Sequence, residues 1–447
     1  MPKAVLTNPR LTAADSTKQY MVEGIRKVCD TFKKRLPGTQ SERDAQAFFK
    51  GELEKISDPA KGDTVLMEDF TLHPHAFMGF IPVAALFLLG NIACFWLGKD
   101  SVALAVLGAA LSLLAVLMFL FEFLMYREFV DFLFPKRVSR NVYAVRKPSG
   151  ETKRRIILGG HTDAANEWTY SWLGEGTGLG IAIFGAVLSM LLGLVASVVR
   201  LVTVVMANAA EEANEVWTGK GTAYDITGDT GMLGWGIALL CTLPFIFAIM
   251  KFINYKVVTD GANDNISANY IAMALLKELH DAGARFENTE VACLLTGAEE
   301  AGLRGAKAFA KKHAKELSDV ETVFISLDTM REIKEMRVCN FGCTGTVKND
   351  KAVGDLLHTA AANCGADIPD SELYPGAVDA EAFSMYGLRS TGFTAVSHAA
   401  KRYYHTRLDT PDNIDEDCLT LSLNICKEAV RLFDETGMAP FDAKRKK

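Results

Sequence analysis

Four long apolar segments interrupt this chain of 447 residues. The first, AFMGFIPVAALFLLGNIACFWLG (76–98), contains no charged residue, and the second (101–126) contains one acid, Glu122, near its end. The third and fourth cover 178–206 and 232–253. Because about 20 apolar residues are enough for a helix to cross a bilayer, each segment is long enough to span one. The sequence therefore predicts four transmembrane helices, with the lipid bilayer as a partner.

The spacing of these segments groups them into two hairpins. Only Lys99-Asp100 separates the first pair, so we assign 76–126 to a first transmembrane hairpin. The second pair gives a hairpin at 172–253, whose polar loop we place at 207–231. A buried hairpin in the core of a soluble protein is the alternative, but two such apolar runs side by side favour the membrane.

The remaining segments, 1–75, 127–171 and 254–447, are predicted to form one soluble domain. Each hairpin returns the chain to the side of the membrane that it left, so the three segments can meet and complete a single fold. Helical periodicity near the N-terminus predicts two helices, with Ser16 and Ser41 as N-caps. The stretches DTVLMEDFTLHP, RNVYAVRK and RRIILGGH predict strands.

Charge and cysteine content bear on partners and compartment. The net charge of −6 shows no basic surplus, so no nucleic acid partner is expected. Nine cysteines, an odd number without a CxxC pair, indicate free thiols in a reducing compartment. The N-terminal region has no apolar core and predicts no cleavable signal peptide.

Lysine and arginine residues near the apolar segments predict the orientation in the membrane. The side of the soluble domain carries Arg127, Lys136, Arg137, Arg140, Lys251 and Lys256. The other side carries Lys99, Arg200 and Lys220. We therefore expect an integral, multi-pass membrane protein whose soluble domain faces the cytoplasm, although Arg200 argues in the opposite direction.

Small residues recur every four positions along the third apolar segment, at Gly185, Ser189, Gly193 and Ser197. This spacing places them on one helix face, where another helix can approach closely. We interpret the stripe as a packing face. The sequence leaves open whether the facing helix belongs to the same chain or to a second copy in a homo-oligomer.

Several strand ends and loops of the soluble domain carry a histidine or a carboxylate. They are His161 and Asp163 in IILGGHTDAANEW, Asp264 in VVTDGANDNISANY, Glu299 and Glu300 in LLTGAEEAGLRGA, Asp328 in TVFISLDTM, and His405 in KRYYHTRLDTPDNID. In α/β sheets, ligands gather at the carboxyl ends of strands. Histidine nitrogen and carboxylate oxygen are the atoms that hold Zn²⁺ in an open catalytic site.

Each of these residues alone also has a structural interpretation. His161 fits a hydrogen-bonded residue at a strand end, Asp264 a helix N-cap, and His405 a solvated loop. The neighbours Glu299 and Glu300 suit an exposed helix start, where acids interact favourably with the helix dipole. The combination favours a metal site more strongly than any single residue does.

The order of the motifs resembles the co-catalytic di-zinc aminopeptidase family. Its relatives include glutamate carboxypeptidases, glutaminyl cyclases and the inactive transferrin-receptor ectodomains. The matching motifs are H-x-D, G-A-x-D-N, E-E-x-G-L-x-G, an apolar strand ending in L-D, and H-T-x-x-D-T. RLPGTQSERDAQAFFKGEL (35–53) and VDAEAFSMYG (378–387) resemble further stretches of the family. The resemblance implies an α/β fold, a mixed central β-sheet flanked by helices, here with four transmembrane helices inserted as two hairpins.

The resemblance also implies a metal centre with two Zn²⁺ ions. Its ligands would be His161, Asp264, Glu300, Asp328 and His405. Asp264 would bridge the two ions, with Glu300 and His405 completing one site and the remaining pair the other. The peptide bond after the bridging aspartate is often cis in this family.

Two further residues receive roles from the resemblance. Asp163 would orient His161, and Glu299 would be the general base that takes a proton from a metal-bridging water. Neutralisation of Glu300 by a dication would remove most of its repulsion with Glu299, which explains two adjacent glutamates with different functions.

Three classes of function follow. The first is a membrane-anchored zinc exopeptidase, with an aminopeptidase acting on short peptides favoured over a carboxypeptidase. The second is a glutaminyl-cyclase-like transferase on the same fold, a subgroup that typically keeps one zinc ion. The third is a non-enzymatic membrane scaffold or receptor, which the complete set of five ligands disfavours.

Overall fold

The computed structural model describes residues 3–97, 101–174, 177–218, 230–342, 345–371, 376–396 and 403–445. The chain forms two compact units. Unit 1 contains Met1–Pro74, Pro135–Glu167 and Tyr255–Lys447, and unit 2 contains His75–Phe134 and Trp168–Asn254. Residues 127–134 and 168–171, assigned to the soluble domain from the sequence, therefore cluster with the apolar helices.

The strands are short and mostly lie in unit 1. In chain order they are β1 (Val5–Leu6), β2 (Thr64–Leu72), β3 (Arg137–Arg146), β4 (Arg154–His161), β5 (Asn166–Trp168), β6 (Ile253–Val258), β7 (Thr289–Thr296), β8 (Glu321–Met330), β9 (Met336–Cys339), β10 (Ala366–Asp367), β11 (Asp370–Ser371) and β12 (Arg389–Ala395). Eight of them form one sheet in the order β11-β9-β12-β8-β4-β7-β3-β2, and β1–β10 and β5–β6 form two-stranded sheets.

The helices separate by unit. Unit 1 contains α1 (Asp15–Thr31), α2 (Gln40–Lys55), α9 (Ser267–Asp281), α10 (Arg304–His313), α11 (Lys351–Asn363), α12 (Asp379–Met385), α13 (Glu416–Thr436) and α14 (Ala439–Arg445). Unit 2 contains α3 (Ala76–Leu97), α4 (Val102–Met118), α5 (Thr169–Gly174), α6 (Thr177–Thr218), α7 (Thr230–Leu240) and α8 (Leu243–Met250).

The centre of the large sheet is parallel. Strand β4 pairs in parallel with β7 and β8, and β12 pairs in parallel with β8, whereas β3 and β2 continue the sheet antiparallel. The carboxyl ends of β4, β7, β8 and β12 therefore meet at one edge. The predicted mixed sheet flanked by helices is confirmed.

The apolar sequence of the central strands explains their position. All eight residues of β7 are buried, as expected for a strand covered by helices on both faces. The close pairing of β4 with β7 also requires Gly159, since a Cβ there would lie 1.7 Å from the carbonyl oxygen of Leu294. The site described below is built at the end of this tightly packed pair.

The predicted N-caps of the first two helices are wrong. Helix α1 begins after Ala14, so Ser16 lies inside its first turn. Helix α2 is capped by Thr39, whose hydroxyl accepts a hydrogen bond from the N–H of Glu42 at 3.3 Å. Ser41 instead donates to the carbonyl of Lys33 at 2.7 Å, because the helix has already begun at the preceding residue.

Unit 2 contains four helical segments that are long and apolar enough to cross a membrane. They are Ala76–Leu97, Val102–Leu124, Thr177–Ala209 and Gly231–Met250. The last is divided into α7 and α8, with Pro244 in the first turn of α8, where its missing N–H is tolerated. The prediction of four long apolar helices is confirmed by their length and composition.

The predicted polar loop at 207–231 is partly helical. Helix α6 continues through Thr218, well beyond the apolar residues. The segment ANAAEEANEV is rich in alanine and glutamate, which have high helix propensity, so the helix does not need an apolar face to continue. The rest of the predicted loop, 219–229, lies outside the described residues.

The small-residue stripe of α6 packs against helices of the same chain. A Cβ at Gly185 would lie 2.1 Å from the ring of Phe245 in α8. One at Gly193 would lie 3.1 Å from the hydroxyl of Ser112 in α4. A homo-oligomer would therefore have to use a different face of these helices.

Polar side chains link α3 to α6 inside the unit. The Asn91 amide donates to the carbonyl of Gly193 at 3.3 Å, and the Ser197 hydroxyl donates to the Asn91 side-chain oxygen at 2.6 Å. Arg200 is buried, donates to the carbonyl of Cys94 near the end of α3, and lies over the ring of Phe95. The positive charge of Arg200 thus interacts with the carboxyl end of a helix, which is favourable.

The packing of α6 against α8 predicts the effect of Gly185→Val. The added side chain would overlap the Phe245 ring, and overpacking of this kind lowers the unfolding free energy by about 1–3 kcal/mol. Thermal unfolding of the purified protein in detergent measures this effect. Gly180→Val in the same helix is the matched control, because apart from the local helix backbone no atom of the described residues lies within 4 Å of a Cβ at Gly180. Equal destabilisation by both variants would contradict the described packing.

Candidate metal centre

The parallel strand ends of unit 1 bring the predicted ligands together. His161 ends β4, Asp328 lies near the end of β8, and Glu300 follows the end of β7. Asp264 lies in the turn before α9, and His405 lies in the loop after β12. All five side chains are at most 12% exposed. Residues far apart in the sequence thus form a single cluster.

The cluster consists of two groups of three ligands that share Asp264. In the first group, one potential ligand atom each from His161, Asp264 and Asp328 lies within 4.8 Å of the others. The second group contains Asp264, Glu300 and His405 at the same mutual distances. This division into two triads agrees with the arrangement that the family resemblance implies.

The two oxygens of Asp264 face different histidines. Its Oδ1 lies 3.0 Å from Nε2 of His161, and its Oδ2 lies 3.3 Å from Nε2 of His405. Because each oxygen faces one triad, the carboxylate can bridge two cations. The peptide bond between Asp264 and Asn265 is cis, as the resemblance implies.

Glu299 lies beside the triads rather than within either of them. Its Oε2 is 3.8 Å from Nε2 of His161, and together with Glu300 these residues form a third group of potential ligand atoms. The side chain is 11% exposed. It is therefore close enough to act on a molecule bound at the centre without being needed as a ligand.

Asp163 has a larger role than the sequence predicted. One carboxylate oxygen accepts the N–H of Glu299 and the other accepts the N–H of Glu300, both at 3.1 Å. Its Oδ1 also lies 3.5 Å from Nδ1 of His161. One buried carboxylate thus positions the histidine and both adjacent glutamates.

Sequence reasoning missed Glu42, which supports the same turn. The side chain of Glu42 is fully buried and accepts the N–H of Ala298 at 2.9 Å, the N–H of Gly38 at 2.7 Å and the hydroxyl of Ser139 at 2.8 Å. Burial, followed by the charge of Asp163, raises the pKa of Glu42 to about 8. The acid in the RLPGTQSE motif was the available signal.

Asp409, also missed, positions the bridging aspartate. Its two oxygens accept the N–H of Asn263 at 2.8 Å and the N–H of Asp264 at 3.2 Å. Burial, followed by the charge of Asp264, raises the pKa of Asp409 to about 7. The signal was its place in the H-T-x-x-D-T motif, next to His405.

The turn that contains Asp264 is also hydrogen-bonded to β8. The Asn265 amide donates to the carbonyl of Leu327 at 2.9 Å, and its oxygen accepts the N–H of Thr329 at 3.2 Å. These bonds flank Asp328 on both sides. The spacing between the bridging ligand and Asp328 is therefore fixed by the backbone.

Burial of several carboxylates in one place makes the centre suitable for cations. Desolvation by burial and the charge of Asp264 raise the pKa of Glu300 and of Asp328 well above their usual range. Asp379, whose pKa burial raises to about 6, adds a further buried acid that accepts a hydrogen bond from Thr296. Buried carboxylates in proteins are paired or coordinate metals, and dications would supply the missing positive charge.

The two histidines differ in their electrostatic environment. Burial lowers the pKa of His405 to about 4, so it is neutral and can offer a lone pair to a metal. For His161, burial acts in the same direction but is outweighed by hydrogen bonds to Asp163 and Asp264, which raise its pKa well above the usual value. A cation at the first triad would have to displace that proton.

An ion pair positions the loop that carries His405. Glu167 is buried, and its carboxylate accepts the Nε of Arg407 at 2.7 Å, the Nη2 at 2.6 Å and the backbone N–H of Arg407 at 3.2 Å. Arg407 is two residues beyond His405. The bidentate bond and the backbone contact therefore restrict where this histidine can lie.

The parallel sheet carries clustered histidines and carboxylates at its strand ends, an α/β arrangement suited to metal-assisted hydrolysis. Residues 250–430 match the model of Peptidase family M28. This range includes Asp264, Glu299, Glu300, Asp328 and His405. The match and the fold confirm the resemblance to the di-zinc aminopeptidase family. No curated protein matches the chain.

Solved structures share the fold at low sequence identity. An aminopeptidase from Aneurinibacillus sp. strain AM-1 aligns with a TM-score of 0.51 and 14% identity, covering 92% of this chain and 93% of that one. A glutaminyl cyclase from an Acidobacteriales bacterium gives 0.50 and 13%, covering 95% and 97%. LapB from Legionella pneumophila gives 0.50 and 10%, covering 95% and 76%. At these identities the likeness shows the fold alone.

The ion pair at His405 predicts the effect of Glu167→Gln. Loss of the carboxylate frees the Arg407 side chain and loosens the histidine, and such changes around metal ligands reduce metal affinity by about 10–100-fold. The measurement is a competition titration of metal-stripped protein, with Zn²⁺ as the test ion and a coloured chelator as competitor.

Asp442→Asn provides the matched control for this variant. Asp442 makes a similar bidentate bond with Arg389, at 2.6 and 3.1 Å, on a helix that contributes no ligand. It should leave the affinity for Zn²⁺ unchanged. Equal losses in both variants would mean that the Glu167 bond stabilises the fold without positioning His405.

Proposed function

We propose that the protein is a membrane-embedded zinc exopeptidase, specifically an aminopeptidase that acts on short peptides. The observation that carries this proposal is the carboxylate of Asp264, which faces one ligand triad with each oxygen. Histidine and carboxylate ligands fit Zn²⁺, and two sites sharing a carboxylate fit the co-catalytic arrangement that the family resemblance implies.

In the proposed mechanism of peptide hydrolysis, bound metal and protein side chains would make separate contributions. Two Zn²⁺ ions, when bound, would make an attacking water more acidic and polarise the scissile carbonyl. His161 and Asp328 would hold one ion, Glu300 and His405 the other, and Asp264 both. Asp163 holds Glu299, Glu300 and His161 in position through the contacts described above.

Glu299 would move the proton. Its carboxylate lies outside both triads and can accept a proton from the attacking water and deliver it to the leaving amine. Burial raises the pKa of Glu299 well above its usual range, so it is a stronger base than an exposed glutamate. A base whose pKa approaches the working pH transfers protons in both directions efficiently.

The carboxypeptidase alternative differs only in which end of the peptide is recognised. Peptides with a blocked amino group and peptides with a blocked carboxyl group distinguish the two. An aminopeptidase will hydrolyse the second class and not the first. A glutaminyl-cyclase-like transferase would instead release ammonia from N-terminal glutamine, and a scaffold would show neither activity.

The proposed mechanism predicts that Glu299→Gln removes hydrolysis and keeps the metal. Loss of a general base lowers the rate by about 10²–10⁴-fold. The measurements are peptide turnover together with elemental analysis of protein purified without chelator, for which we expect two zinc ions per chain.

The adjacent variant Glu300→Gln is the control for this experiment. It replaces a proposed ligand, so we expect lost activity together with lost metal. Active wild-type protein without any transition metal, or full activity of Glu299→Gln, would contradict the proposal.

We further propose that the four apolar helices of unit 2 span a membrane. Large apolar side chains are exposed on all of them: Leu86 (58%), Val106 (50%), Phe184 (72%), Leu191 (54%), Val202 (52%), Ile237 (51%) and Phe247 (55%). Exposure of this many large apolar side chains on one group of helices is rare on water-soluble proteins and is expected on helices surrounded by lipid.

The buried position of Arg200 removes the sequence argument against a cytoplasmic catalytic unit. Its guanidinium interacts with Cys94 and Phe95 inside unit 2 and is not a free charge in a flanking loop. Only Lys99 and Lys220 then remain on the far side, against six basic residues on the catalytic side. The asymmetry in basic residues supports a catalytic unit in the cytoplasm.

This orientation predicts the labelling of two introduced cysteines in intact cells. A cysteine at Gly219 should react with an impermeant reagent added outside, and one at Lys446 only after permeabilisation. Both positions lie outside the described residues, and labelling is measured relative to the unsubstituted protein with its nine cysteines. The reverse pattern would place the catalytic unit outside the cytoplasm.

A further inference from the structure

A short segment that follows the second apolar helix exposes large apolar side chains to solvent. We call residues 125–134 the Phe132 turn. Within it, Phe132 is 81% exposed, Leu133 48% and Phe129 36%. These residues lie beyond the apolar helix that ends at Leu124, so they are not part of its surface.

The Phe132 turn is held in place by its own hydrogen bonds. The fully buried carboxylate of Glu122 accepts the N–H of Phe129 at 2.8 Å and the N–H of Val130 at 3.1 Å. The N–H of Arg127 donates to the carbonyl of Phe121 at 2.7 Å. The exposed side chains therefore lie on a hydrogen-bonded backbone segment, and the side chain of Val130 is buried.

Contacts within unit 2 place this turn at the end of the helices. Phe134, its last residue, packs against the first turn of α3, where a Cβ at Gly79 would lie 2.5 Å from the Phe134 ring. The turn also follows directly after the second apolar helix, which ends at Leu124 and contains Glu122, the acceptor of the two hydrogen bonds above. It thus lies at the level where both helices of the first hairpin begin or end.

Basic residues flank the exposed apolar group. Arg127 precedes it, and Lys136 and Arg137 follow it, all of them exposed, whereas the acids Glu128 and Asp131 lie within the turn. Aromatic side chains at the end of membrane helices, next to lysine and arginine, fit the headgroup level of a bilayer, where the acyl chains meet anionic phosphates.

We propose that the Phe132 turn is an interfacial anchor that inserts into the headgroup region of the leaflet on the catalytic side. This inference rests on the proposed membrane location of unit 2. The occupant is lipid rather than another protein, because the turn directly follows an apolar helix that is long enough to cross a membrane and its exposed apolar side chains are flanked by basic residues.

Site-specific photocrosslinking tests the proposal on the full-length protein. A benzophenone amino acid replaces Phe132, and the protein is placed in nanodiscs of mixed phosphatidylcholine and phosphatidylglycerol. Phe184, 72% exposed on α6, is the positive control, and Tyr386, 39% exposed in unit 1, is the negative control. Mass spectrometry detects lipid adducts after irradiation.

We expect lipid adducts at Phe132 and Phe184 and none above background at Tyr386. Adducts at Phe184 without adducts at Phe132 would overturn the anchor and leave the membrane proposal intact. A crosslink from Phe132 to a second copy of the chain would likewise overturn it. Absence of adducts at Phe184 would refute the membrane location itself, and the anchor with it.

Discussion

Repulsion among carboxylates buried at one edge of the sheet is the constraint on which the rest of the site depends. Asp264, Glu300 and Asp328 are brought together by strands and turns that cannot separate without unfolding the parallel sheet. Burial raises the pKa of Glu300 and Asp328, so the cluster holds protons or cations but not bare charge. In the proposed arrangement two dications would share the Asp264 carboxylate and offset this repulsion, since its two oxygens face different histidines.

Backbone N–H groups donate hydrogen bonds to other buried acids beside the cluster. The N–H groups of three consecutive residues, Ala298, Glu299 and Glu300, are all accepted by buried acids, Glu42 and Asp163. Ala298 has a positive φ of 54°, a backbone conformation that residues other than glycine rarely adopt. The hydrogen bonds therefore hold a turn that directs two adjacent glutamates to different tasks, one toward a triad and the other toward the space beside it.

The parts of this molecule that could be predicted from its sequence are those with a local signal. Apolar runs predicted the four helices, and strand-end motifs predicted five candidate ligands, whose side chains the structure brings together. The RLPGTQSE motif singled out Glu42 as an acid, but its bond to Ala298 and the bond of Glu167 to Arg407 could not be predicted, because each joins residues more than 200 positions apart. The N-cap at Thr39 and the extension of α6 to Thr218 were not predicted for a different reason. Several adjacent residues at each helix end fit the same local preference, so the sequence does not select the residue at which the helix begins or ends.

The positions of the two hairpins in the chain explain how a soluble fold accepts them. The first is inserted between β2 and β3, which are antiparallel neighbours, and Leu72 at the end of one strand pairs directly with Arg137 at the start of the other. The second is inserted between β5 and β6, which also pair with each other. In both cases the chain leaves and returns at adjacent points, where a β-hairpin loop would otherwise lie. The entropy of loop closure grows only slowly with length, and here the inserted helices fold among themselves, so the sheet and its strand ends need no rearrangement. The second hairpin falls within the connection between the parallel strands β4 and β7, and there the pairing of β5 with β6 brings the two ends of the insertion together.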